Sequence, residues 1–181
     1  MPTPPPLTLH ELAARAGGAA WVSARLFELV GGWCTTTPEA HVVGRLAAQS
    51  HRHAWHAELW SARIPEATIL DRATVERAPS AEVADLLDRC RDLPGTPERL
   101  AVLGEVLLPG LLDAHVAHRA RASTVCDGAT LRTLGLVVAD LEGDLSEVST
   151  LRTRLPDADA GPVADLRAAL GAAGGLLGPL P

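Results

Sequence analysis

Three residue types are missing from this 181-residue chain: Lys, Asn and Tyr. All 16 basic residues are therefore Arg. With abundant Ala, Gly and Pro, this reads as the coding bias of a GC-rich genome and carries little chemistry. Aromatic residues are scarce at 3%, four Trp and one Phe. Sheet-rich domains draw on aromatic and β-branched side chains, so an apolar mass of Leu, Ala and Val favours helices. Cysteine is sparse too. Cys34, Cys90 and Cys126 are odd in number and form no Cys-x-x-Cys pair, which implies neither a zinc knuckle nor a disulfide framework. No apolar run reaches the roughly 18 uncharged residues of a spanning helix. The nearest, Leu100–Leu112, is interrupted by Glu105. Residues Met1–Pro6 have neither the basic nor the apolar part of a signal peptide. The expected location is a bacterial cytoplasm, with no membrane partner. The balance of 22 acids and 16 Arg gives a net charge of −6 and argues against a nucleic-acid partner.

What is present is helical patterning. Residues 1–7 read as a disordered Pro-rich tail. A first helix is predicted from Thr8, with Glu11 completing a capping box, to about Val30, where Gly31-Gly32 should end it. A second starts at Thr37-Pro38-Glu39 and runs to about Arg63. Its residues Val43, Leu46, Ser50, His53, Ala57, Trp60 and Ile64 alternate spacings of three and four, a packing seam. Residues 64–95 form a long connection containing a short amphipathic helix, Ser80–Leu93. Thr96-Pro97-Glu98 repeats the start signal and opens a third helix to about Ala122, with a kink expected at Pro109-Gly110. A fourth runs from Asp127 to about Leu155 along the seam Leu131, Leu134, Val138, Leu141, Leu145, Val148, Leu151. A short fifth helix, Val163–Ala173, precedes a loose end. Short links make antiparallel neighbours, and the long one allows a crossover along a bundle. The predicted fold class is all-α, with a bundle over 8–155 and a C-terminal extension over 156–181.

The most unusual segment is Ser50–Trp60, which holds three of the seven His and two of the four Trp. On a helix His53 and His56 share a face. A neutral imidazole facing a bundle core is a good metal ligand. Glu28 and Glu105 stand out as acids among apolar neighbours, and a buried carboxylate is costly unless paired, hydrogen-bonded or metal-bound. Asp113, His115 and His118 come later on the third helix. His115 lies nearly three turns from Glu105 and so should share its face, while His118 with Asp113 or Arg119 reads as a solvated set.

Four long helices, a crossover between the second and third, single acids on helices 1 and 3, a His-rich helix 2 and acids on helix 4 resemble the ferritin-like superfamily over about residues 8–155. In that family, Glu from helices 1 and 3 and a Glu-x-x-His from helices 2 and 4 surround two metal ions. The resemblance assigns Glu28 and Glu105 to the single acids and His53 to the family His, with Ser50 where Glu is expected. On helix 4, Leu141 replaces the bridging Glu and Asp144 replaces the His. It thus implies a metal set of Glu28, His53, His56, Glu105 and Asp144 for Fe or Mn.

Two functions compete. One is a non-catalytic ferritin-like bundle with a degraded metal site, acting as a binding or partner protein. The other is a metal-dependent oxidoreductase acting on a small molecule, with Trp55 or Trp60 shaping its cavity. The departures at Ser50 and Leu141 favour the first. A homodimer is the expected assembly, because the apolar surfaces of helices 1 and 3 exceed one seam.

Overall fold

A computed structural model describes residues 6–180. Its elements are α1 (Leu9–Cys34), α2 (Ala40–Ser61), α3 (Arg72–Val75), α4 (Ala81–Arg91), α5 (Thr96–Val102), a π turn (Leu103–Leu107), α6 (Leu108–Arg121), α7 (Gly128–Arg152) and α8 (Ala160–Ala172). The described residues contain no strand, and the chain is all-α. Residues 1–5 of the expected tail lie outside the described residues, but Leu7 is buried and belongs to the fold.

Local chemistry explains most helix starts. Thr8 and Glu11 form the reciprocal capping box of α1, and the Ser80 hydroxyl caps α4 by accepting from the Val83 N–H. Two boundaries differ from the sequence reading. Gly31-Gly32 does not end α1, because Gly31 serves packing. A Cβ there would lie 2.9 Å from the Ser50 hydroxyl of α2. The N-cap of α2 is Glu39 rather than Thr37. The Thr37 hydroxyl instead takes a long bond from Arg99, and the Glu39 carboxylate accepts from the Thr96 hydroxyl at 2.7 Å. These polar contacts join the start of α2 to the start of α5.

Pairing along the helices sets the topology. Cys34 meets Val43 and Phe27 meets Ser50, so α1 and α2 are antiparallel. Arg45 meets Glu147 and His56 meets Asp140, so α2 and α7 are antiparallel as well. Trp60, near the end of α2, stacks on His115 and His118, near the end of α6. The helices α2 and α5–α6 therefore run parallel, and residues 62–95 return along the bundle. On the way α4 packs on α1, with Arg25 donating to Asp88 at 2.6 Å. The central seam of α7 is as expected: Leu134, Val138, Leu141, Val148 and Leu151 are buried, and only Leu131 and Leu145 are marginal.

The third long helix is not simply kinked at Pro109. It carries a π turn just before, in which the Leu108 N–H bonds to the Leu103 carbonyl. A proline ring clashes with the carbonyl four residues earlier, here Glu105, and the wider turn relieves that clash. The extra residue also rotates α6 by about 100° relative to an unbroken α-helix. Residues 96–121 are long and apolar enough to cross a membrane by length and composition, and half of the apolar window is buried in the bundle. The apolar flanks that suggested a dimer are partly covered within the chain, α1 by α4 and the third helix by α8, while Phe27 on α1 and Val116 on α6 stay exposed.

Gly17 marks the tightest backbone approach. A Cβ there would sit 2.1 Å from the Val75 carbonyl oxygen of α3, whereas one at Gly32 meets nothing within 4 Å. Gly17→Ala should therefore displace α3 and cost about 1–3 kcal/mol. Gly32→Ala should stabilise by about 0.4–1 kcal/mol. Urea denaturation of both variants checks the pair, and equal effects would remove the packing argument.

Candidate functional site

The seam of α2 and the end of α6 place four imidazoles inside the bundle. His53, His56, His115 and His118 are each at most 1% exposed. His53 and His56 meet edge to face with centroids 5.9 Å apart. Trp60, itself fully buried, stacks on His115 at 5.0 Å and on His118 at 5.9 Å. Trp55, the other tryptophan of the segment, is on the surface beside His56. His115 and His118 are thus core residues, against the solvated reading of His118. After the π turn His115 also no longer shares the face of Glu105.

Only one of the eight ring nitrogens has a hydrogen-bond partner. His56 Nε2 lies 2.9 Å from Asp140 Oδ2. A carboxylate accepts only, so the ring proton sits on Nε2 and Nδ1 is left as a buried lone pair. Burial lowers the pKa of all four rings: His53 to about 3, His118 to about 4, His115 well below the ordinary value, and His56 less because Asp140 opposes the shift. All four are neutral at pH 7.

Asp144, on α7, is 1% exposed. Its Oδ1 is paired with Arg52, while Oδ2 has no partner. Burial pushes its carboxyl up, against the pull of Arg52. Arg52 also reaches Glu147 at 3.5 Å, and Gln49 donates to the Asp144 carbonyl at 3.3 Å. The interior polar set therefore joins α2 to α7 through the Arg52–Asp144 and His56–Asp140 pairs.

The two isolated acids do not join it. Glu28 is on the surface, paired with Arg25 at 2.5 Å. Its apolar neighbours in sequence face the core, and one turn of helix suffices to put the acid outside. Glu105 is about one-third exposed and is held by Arg152 at 2.5 Å and Arg167 at 2.6 Å. Burial acts to raise its pKa, but the two guanidiniums outweigh that and keep the carboxyl below its usual range. Of the expected ligand set, the structure brings His53, His56 and Asp144 to the α2–α7 side and leaves Glu28 and Glu105 elsewhere. Ser50 donates to the Phe27 carbonyl at 2.9 Å, and Leu141 fills the core. Among the described residues no three His, Cys, Asp or Glu side chains are placed to hold a metal ion. The donors that are gathered, chiefly neutral imidazoles and a carboxylate neutralised by Arg52, do not fit a carboxylate-rich two-metal centre.

In the sequence Asp140 stands where the helix 4 segment Ala139–Asp144 resembles the family's Asp-Glu-x-x-His, and nothing local marked it as a partner of His56. The His115–His118 spacing repeats that of His53–His56, a signal of burial that their polar surroundings concealed. Comparison of the chain with known protein families, curated proteins and solved structures gave no match.

Proposed function

We propose that this chain is a ferritin-like bundle that works by binding and not by redox catalysis, a partner protein in which the metal site has been replaced by a core of imidazoles. The observation that carries the reading is the fate of Glu105. Its charge is taken up by Arg152 and Arg167, away from His53 and His56. The order of the four long helices and the returning 62–95 connection support the ferritin-like part. The negative net charge supports a partner other than nucleic acid. A cytoplasmic bacterial setting belongs to the same reading. A homodimer would use the apolar side chains that α4 and α8 leave exposed, Phe27 and Val116.

The His56–Asp140 couple favours the alternative, a metal-dependent oxidoreductase, because a carboxylate behind an imidazole is a common support for a metal ligand. Metal analysis separates the two. Protein grown with added Fe, Mn and Zn and purified without chelator is expected to hold less than about 0.1 equivalents of each. Glu105→Gln should leave that content unchanged and fold normally. One equivalent of Fe or Mn, lost in His56→Gln, would overturn the binding-protein reading.

A further inference from the structure

A cavity of about 280 Å³ lies between the first turns of α1, the segment after α3 and the C-terminal tail. Leu7, Val75, Pro79, Leu177 and Leu180 give it apolar walls. Its charged lining is Glu11, Arg15 and Arg77. Glu11 is already engaged: one oxygen accepts from the Thr8 N–H at 2.6 Å and from the Thr8 hydroxyl at 2.7 Å.

The tail that closes the cavity is ordered, against the expectation of a loose end. Gly174, Gly175 and Gly178 have φ of 71°, 93° and 69°, the left-handed region open to glycine. They reverse the chain after α8, bury Leu176 and Leu177, and turn two carbonyls onto Arg15. Arg15 is 6% exposed. It donates to the carbonyls of Leu177 at 2.8 Å, Gly178 at 3.0 Å and Ala114 at 2.8 Å, while its Nε has no partner. All these acceptors are neutral. Burial lowers its pKa to about 10, with no acid opposing the shift. A desolvated cation held only by carbonyls is a place where an anion gains more than it does in water. Arg77 adds a second, exposed cation at the rim.

We propose that this cavity binds a small aliphatic carboxylate, with its charge between Arg77 and the buried Arg15 and its hydrocarbon against Leu7, Val75, Pro79 and Leu177. The walls select the class. A phosphate would press unsatisfied oxygens on apolar carbon, and a neutral alkane would leave the guanidinium uncompensated. None of the four imidazoles lines this cavity, so the proposal stands whether or not a metal binds among them.

Calorimetric titration of the full chain with sodium octanoate tests it, with 1-octanol and acetate as controls. Octanoate is expected to bind saturably at one site and to raise the thermal midpoint, with each control at least about tenfold weaker. Arg77→Gln should weaken octanoate about tenfold and leave the midpoint of the free protein unchanged. Ala14→Glu, which adds a carboxylate at an exposed α1 position on the lining, should abolish binding. The proposal fails if octanol binds as tightly as octanoate, if Arg77→Gln binds normally, or if no saturation is reached by about 10 mM octanoate.

Discussion

Lowering the pH from 7 to 5 is expected to remove several kcal/mol of folding stability, because the buried imidazoles accept protons far more readily in the unfolded chain. An exposed His titrates near 6.5, while His53 titrates at about 3 and His118 at about 4 in the fold. Between those values the unfolded state holds more protons, so stability falls as pH falls. At pH 5 each of these two rings contributes a loss of about 2 kcal/mol. His56 and His115 act in the same direction. The total is comparable with the about 5–15 kcal/mol that holds a typical domain together. Asp144 opposes the trend, since burial raises its carboxyl. Cations face the rings from two sides: Arg15 acts on His115 and His118, and Arg52 on His53 and His56. Asp140 and Asp144 near His56, and Asp127 near His118, counter them only in part. Urea unfolding monitored by circular dichroism at intervals from pH 7.5 to 5 measures the slope. His118→Phe keeps an aromatic ring against Trp60 and should reduce that slope by up to about 1.4 kcal/mol per pH unit. A stability that does not change over this range would mean that the rings are hydrated or charged in the fold.

Arg52→Met should cost about 3 kcal/mol or more, because it leaves the Asp144 carboxylate buried without its counter-charge. Adding Asp144→Leu should recover most of the loss, since Leu restores an apolar interior and removes the unpaired charge. The pH dependence provides an independent signature. The difference between Arg52→Met and the parent should shrink on acidification, as the carboxyl of the variant takes up a proton. If the single and double variants are equally unstable, Arg52 contributes through its packed stem and not through the ion pair.

The helices themselves were largely legible. Apolar spacing on α2 and α7 and the caps at Thr8 and Ser80 are local signals, set by residues within a turn or two. The length of the link over 64–95 already allowed a crossover. His53 and His56 were legible for the same reason, since their spacing places both on the buried face. The π turn was not. Pro109 announced a disturbance, but whether the helix bends or widens depends on what packs around it. The widened turn then altered the phase of α6 and brought His115 and His118 inward.

The acids mark the limit most clearly. In sequence Glu105 sits among apolar residues on every side, which is all a local reading can record. Its partners Arg152 and Arg167 lie 47 and 62 positions away, and only folding brings them near. Glu28 needed no distant residue, because Arg25 stands one turn away. By itself the sequence determined an all-α chain of four long helices with a histidine-rich inner seam, because periodicity and capping act over a few residues. Which charges neutralise one another, which imidazoles lose water, and how the tail closes over Arg15 were decided only by the tertiary structure. Charge pairing and desolvation depend on separation in space, and the order of residues along a helix does not contain that separation.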